Sequence, residues 1–299
     1  MALRHRDRMS NYSDWFEDRK SPKGRTVGRI KTLKIYEALS LEIVERIEAD
    51  LPANEILDWI KEKTKNAHTE RYGLSLEVGA LSNVGGDWNE YMVTSAFSEI
   101  AIDINTSDRG ATVVIFPLPN SQISRVGSGQ LSSRFLSLFK ESEFAAEGAL
   151  HKINDYKERI FFSSPDYIIA VLDRSCIAEV QTLLENQARH PSSAEIYRYL
   201  EGTLNADELE AAISVKTEYR PDRRYQPLFE ANLVKQLGDI AGQKWKYYMV
   251  ASKITGSDTS LFERITTPHA YANKYKLVDG SFLFLRKADL IPLVEDALN

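Results

Sequence analysis

The sequence predicts an α/β layered domain, on three observations. Apolar runs of strand length recur at 112–116, 166–172, 213–216 and 245–252. Stretches with apolar residues at three- and four-residue spacing separate them, which is the helical period. The 299 residues are 43% hydrophobic and 27% charged, a globular composition sufficient for one large domain or two small ones. Strands alternating with helices pack as a sheet with helices on its faces.

Residues 1–30 are polar and basic, with Trp15 and Phe16 as their large apolar pair, and Ser21-Pro22-Lys23-Gly24-Arg25 reads as a loop. We expect either a loosely docked terminus or an arm that reaches a partner. Residues 31–66 read as helices interrupted at Pro52. Small residues crowd 73–86, and a helix is expected from Asp87, with Asp87 as N-cap and Glu90 closing a capping box. Thr112 to Phe116 is a strand ended by Pro117-Leu118-Pro119-Asn120, and the segment to about 150 is mostly helical. Strand material follows at 159–162 and 166–172, around Ser163-Ser164-Pro165, where proline forces its neighbour to be extended. Asp166 therefore heads an apolar strand, where its carboxylate either caps a turn or projects into a site. Residues 176–212 are expected to be helical, broken at His190-Pro191.

The stretch Ile213 to Glu230 departs most from the rest. A short strand, Ile213 to Lys216, runs into Arg220-Pro221-Asp222-Arg223-Arg224, and Glu230 follows. The local surplus is positive in a chain of formal net charge -5. Basic runs are usually solvated faces. An Arg-x-Asp-Arg cluster ahead of a helix also offers both donors and an acceptor, as a base-pair edge requires. Leu233, Leu237 and Ile240 continue a helix that Gly242 ends. Residues 245–252 and 276–286 then read as strands, with a short helix from Asp289.

Several classes of function are disfavoured. One cysteine, Cys176, excludes an intramolecular disulfide and a cysteine zinc cage, and is expected to be a small core residue. The five histidines lack metal-ligand spacing, and phosphate-binding or serine-nucleophile glycine motifs are missing. No apolar run approaches a membrane span, and the basic start lacks an apolar continuation, so a cytoplasmic protein is expected. What remains are carboxylates at the ends of strands and helices, Asp166, Glu230 and Glu90, and one lysine, Lys216, two residues after Ser214. That set fits metal-assisted phosphodiester hydrolysis: the carboxylates hold magnesium, and the lysine orients or activates water and offsets developing charge.

Asp166 after Pro165, Ser214-x-Lys216 48 residues later, and Glu230 14 residues beyond Lys216 resemble the CCGG family of type II restriction endonucleases, that of NgoMIV and AgeI, in the PD-(D/E)XK superfamily. Gly86-Asp87-Trp88-Asn89-Glu90 resembles the family's upstream acidic helix, and Leu118-Pro119-Asn120 a shorter shared patch. The resemblance covers roughly residues 79–270 and implies a restriction-endonuclease-like mixed β-sheet flanked by helices, with an N-terminal helical subdomain or arm at 1–75 and the nuclease domain at 76–299. It implies Asp166, Lys216, Glu230, Glu90 and Ser214 as the catalytic set, with Asp166, Glu230 and Glu90 holding Mg2+. Arg220, Asp222 and Arg223, beside Arg224, would read G·C pairs in the major groove of double-stranded DNA, and Asn83 would contact the minor groove. A palindromic site implies a homodimer, or a tetramer. A default NCCGGN site would be cut before the first C, leaving four-base 5′ overhangs. The alternatives are a repair-type PD-(D/E)XK nuclease and a non-catalytic sequence-specific DNA-binding protein. Pro227 departs from the family's pattern, and implies a helix starting near Gln226 with the arginine cluster in the turn before it.

Overall fold

In the computed structural model, residues 12, 14–20, 26–76, 78–107, 110–119, 133–160, 165–218 and 225–299 are described, the side chains of Val78 and Asn83 excepted. Strands β1 (Phe16–Lys20) and β2 (Thr26–Ile30) form an antiparallel pair. Helices α1 (Thr32–Ala38), α2 (Ser40–Glu48) and α3 (Ala53–Tyr72) follow. The long helix α4 (Val78–Thr106) leads into β3 (Ala111–Pro117). Beyond the short α5 (Glu141–Phe144) and a 3-10 stretch at His151–Arg159 comes β4 (Tyr167–Asp173). Helices α6 (Ile177–Arg189) and α7 (Glu195–Leu200) precede β5 (Leu209–Glu218). The chain continues through α8 (Tyr225–Ala241), β6 (Lys246–Lys253), α9 (Gly256–Arg264), α10 (Pro268–Ala272), β7 (Gly280–Leu283) and α11 (Ile291–Ala297).

Strands β3 to β7 form one sheet in sequence order, antiparallel from β3 to β5 and parallel from β5 to β7. The sheet is therefore mixed, as expected. Strand β4 is buried along nearly its whole length, as suits a central strand covered on both faces. A bulge between Ile169 and Ala170 shifts its register on β5. Helix α8 is the crossover that the parallel β5–β6 pair requires. Gly242 follows it at φ +70°, a left-handed conformation suited to glycine, and the chain turns back into β6.

Helix α4 runs through the interior and packs against β3, α6 and α1 to α3. Trp88, Met92, Ala96 and Ile100 form one buried stripe, with Val93, Phe97 and Ala101 beside it. Its buried hydroxyls bond to the preceding turn: Thr94 Oγ1 donates to Glu90 O at 3.1 Å and Ser98 Oγ to Thr94 O at 2.9 Å.

Four sequence expectations are corrected. The helix expected from Asp87 starts at Val78, so Asp87 is interior and accepts from Thr32 Oγ1 at 3.1 Å instead of capping. Tertiary packing overrides the helix-weakening glycines at 79, 85 and 86. The terminus expected to be loose includes a docked hairpin: Trp15 and Phe16 are buried, and the Tyr72 hydroxyl and Arg71 both bond Asp18. Residues 209–212, read as helix, begin β5: Leu209, Ala211 and Ala212 are buried and pair with β4, so sheet pairing overrides the local helical pattern. Arg159 ends a 3-10 stretch, while residues 161–164 of the strand expected there lie outside the described residues. Cys176 is partly buried at the margin of the core.

Candidate active site

Sheet register assembles the first half of the site. Tyr167 pairs with Ile213 across the antiparallel β4–β5 ladder, so Asp166, one residue before β4 begins, falls opposite Ser214. Strand β5 continues past that point alongside β6, with Lys216 opposite Ala251. The end of β5 is thus free of β4 on one side, and Asp166, just before β4, bonds to it there. The Asp166 carbonyl accepts from Leu118 N at 3.0 Å, which ties the site to the chain leaving β3.

Strand alternation puts Ser214 and Lys216 on one face. Three donors converge on Asp166 Oδ2: Ser214 Oγ at 3.2 Å, the Val215 amide at 2.6 Å and Lys216 Nζ at 2.7 Å. Among the described residues Oδ1 accepts none. Both members of the Asp166–Lys216 ion pair keep solvent contact.

Helix α8 supplies Glu230, which is 1% exposed. Gln226 Nε2 donates to its Oε1 at 3.1 Å, and the Tyr247 hydroxyl donates to its Oε2 at 3.0 Å. Burial pushes the Glu230 carboxyl up to about 7, and the Asp166 charge pushes in the same direction. Lys216, Tyr247 and Gln226 oppose the rise. Helix α4 supplies Glu90, whose carboxyl is also raised, first by the protein around it and then by Asp166, with Lys216 opposing. Glu90 and Glu230 are thus each repelled by Asp166 and each attracted by the Lys216 ammonium. A cleft of about 250 Å³ adjoins Glu90 and Asp166, with Thr94, Pro119, Ser192 and Ser193 among the other residues that line it.

The structure thus brings together all five residues of the expected catalytic set. Arg220, Asp222, Arg223 and Arg224 lie outside the described residues, as does the side chain of Asn83. The segment that holds the arginines joins Glu218, at the end of β5, to Tyr225, at the start of α8. Pro227 is buried in the first turn of α8, where its missing N–H breaks no helical bond, and the helix starts one residue from the expected position.

Sequence reasoning missed Tyr247, Gln226 and Tyr167. The Tyr167 hydroxyl bonds Thr94 Oγ1 at 2.6 Å and Glu90 O at 3.3 Å, and so joins the strand behind Asp166 to the helix bearing Glu90. Within an apolar strand nothing distinguishes a phenol with a partner from one that merely packs. The four-residue step from Gln226 to Glu230 was the one readable signal.

Among the described residues no three histidine, cysteine or acidic side chains are grouped closely enough to hold a metal ion by themselves. No helix among them is long and apolar enough to cross a membrane.

Comparison with known proteins gives a consistent picture. The family model described as Cfr10I/Bse634I restriction endonuclease matches residues 19–299. The type II restriction enzyme Cfr10I of Citrobacter freundii is 24% identical over 219 residues, which cover 68% of this chain and 71% of that protein. The Bse634I restriction endonuclease superposes with a TM-score of 0.70 at 21% identity, covering 97% of this chain and 99% of that one. Bse634I solved with its cognate DNA gives a TM-score of 0.71 at 22% identity and the same coverage.

Proposed function

Because the chain belongs to the Cfr10I/Bse634I restriction endonuclease family, we propose that it makes magnesium-dependent double-strand cuts in palindromic DNA with a CCGG core. It is a type II restriction endonuclease, a site-specific deoxyribonuclease with the restriction-endonuclease fold. Nucleases of this kind depend on a metal ion. The single observation that carries the reading of the site is the convergence of Ser214, the Val215 amide and Lys216 on one oxygen of Asp166, within the field of Glu230.

The donors suit magnesium, a hard cation usually bound by one or two carboxylates, with waters and substrate phosphate oxygens completing its shell. No cage of three protein ligands is needed. Asp166 and Glu230 are the residues that would hold it, with Glu90 beside them. Bound there, the ion would supply positive charge to the phosphate oxygens and acidify a coordinated water.

The protein's own groups prepare the reaction. Ser214 and the Val215 amide fix the Asp166 carboxylate through Oδ2, while its Oδ1 accepts no hydrogen bond among the described residues. The Lys216 ammonium orients the attacking water and offsets charge that builds on the phosphoryl oxygens. Attack at phosphorus breaks the bond to the 3′ oxygen and leaves 5′-phosphate and 3′-hydroxyl ends. Arg220 and Arg223 donate to guanine O6 and N7, and Asp222 accepts from cytosine N4. Arg224 joins them at the duplex, and Asn83 reaches the minor groove. Two subunits related by a two-fold axis read the two halves of the site, as a dimer or within a tetramer. The default target is NCCGGN, cut before the first C, and the setting is the cytoplasm.

Digestion of plasmid DNA with Mg2+, followed by sequencing of the ends, tests the reading. Discrete fragments with four-base 5′ overhangs beginning at CCGG are expected. Nonspecific degradation would instead indicate a repair-type nuclease, and retarded but uncut DNA a binding protein without catalysis.

A further inference from the structure

We propose that Tyr247 is a positioning residue that holds Glu230 in the orientation needed to bind the metal ion. The inference rests on the reading of Glu230 as a metal ligand. Its structural basis is separate. The two donors to Glu230 differ in kind. Gln226 is exposed and lies on the same helix, one turn earlier, so it moves with the carboxylate, and water can replace its amide. Tyr247 is fully buried and comes from β6, so it is the donor that ties the carboxylate to the sheet.

Tyr247 is itself held on both sides. It pairs with Ala212 in the parallel ladder, next to the strand that carries Ser214 and Lys216. Its amide donates to Asp279 Oδ2 at 2.6 Å, and its carbonyl accepts from Asp279 N at 2.9 Å. Asp279 Oδ2 pairs in turn with Lys235 Nζ at 2.5 Å, and Lys235 lies on α8, five residues beyond Glu230. Helix α8 therefore meets Tyr247 twice, once through the Glu230 carboxylate and once through the Lys235–Asp279 pair, whose lysine is buried. The phenol oxygen is a fixed point relative to the end of β5. A carboxylate on three rotatable bonds needs such a point if it is to share a ligand with Asp166, which β5 holds. Outer groups that orient ligands in this way typically change metal affinity or activity by about 10–100-fold when removed.

Tyr247→Phe removes the hydroxyl and keeps the ring that packs in the core. Calorimetric titration of Mn2+ into the protein bound to an uncleavable CCGG duplex is expected to show affinity weaker by about 10–100-fold. The Mg2+ concentration for half-maximal cleavage should rise by a similar factor, and saturating Mg2+ should bring kcat back close to wild type. DNA affinity measured in chelator should not change. Gln226→Met should weaken Mn2+ binding by a smaller factor. Wild-type Mn2+ affinity in Tyr247→Phe overturns the proposal. So does a loss of kcat that saturating Mg2+ fails to restore, or a larger effect from Gln226→Met. Glu230→Ala is the control for the underlying reading. If it leaves Mn2+ binding and cleavage intact, Glu230 is not a ligand and that reading fails. If it abolishes both while Tyr247→Phe is silent, only the role of Tyr247 falls.

Discussion

At the scale of single residues, Asp166 and Glu230 are two carboxylates held in opposite ways. Asp166 keeps solvent contact and accepts two side-chain donors and one amide. Glu230 is buried and its carboxyl sits at about 7, against an ordinary value of 4.5. A carboxyl raised by folding contributes stability that is complete below its unfolded value. That contribution is lost as pH rises through the folded value. In chelator, wild-type protein should therefore lose stability between about pH 5 and pH 8 relative to Glu230→Gln, by on the order of 3 kcal/mol. Thermal melts of both proteins across that range check this, and parallel profiles would contradict it. Asp166→Ala and Lys216→Ala should each abolish cleavage while keeping specific DNA binding in calcium. Residual cutting near the wild-type rate would remove both from the active site.

At the scale of elements, the site depends on where strands stop. The order Asp166, Ser214-x-Lys216, Glu230 was legible because chemistry fixes residue type at fixed spacing. The end of β5 and the start of α8, near Gln226 and compatible with Pro227 in its first turn, were legible too. The start of α4 was not. Glycines at 79, 85 and 86 argue against a helix locally, and only the burial of Trp88, Met92 and Phe97 in the assembled core outweighs them. Docking of β1 and β2 was hidden for the same reason, since the partner of Asp18 is 54 residues away at Tyr72. A methyl group added at Gly85 would come no closer than 4.0 Å to Leu57 and Lys61. Gly85→Ala should therefore stabilise the protein by about 0.5–1 kcal/mol, read as a higher melting midpoint. The segment between β5 and α8 is expected to carry base readout. Arg220→Ala should weaken CCGG-specific binding by about 1–3 kcal/mol for each guanine it reads. Equal weakening on all sequences would make Arg220 a phosphate contact.

At the scale of the whole molecule, a chain of net charge -5 must bind a polyanion. It can do so only where basic groups are concentrated, and its affinity should fall steeply with salt as counterions are released. On the proposed palindromic target, two sites related by a two-fold axis would cut the two strands. Sedimentation should accordingly show a dimer or tetramer at cleavage-active concentrations. A monomer that still makes concerted double-strand breaks would refute the two-fold arrangement.

If Asp166 holds the metal ion and Lys216 meets the scissile phosphate, as proposed, the 2.7 Å pair between them couples the binding of metal and DNA. With no ligand bound, the ammonium and the carboxylate neutralise each other, so a cation must compete with Lys216 for Asp166. A phosphate brought alongside draws the ammonium toward itself and returns negative charge to the carboxylate. DNA should therefore strengthen metal binding, and metal should strengthen DNA binding by the same factor, because such linkage is reciprocal. Lys216→Met would uncouple the two: metal affinity without DNA should rise, and its enhancement by DNA should shrink. On this view the lysine is also a restraint, keeping the idle protein poorly loaded with metal until a duplex is in place.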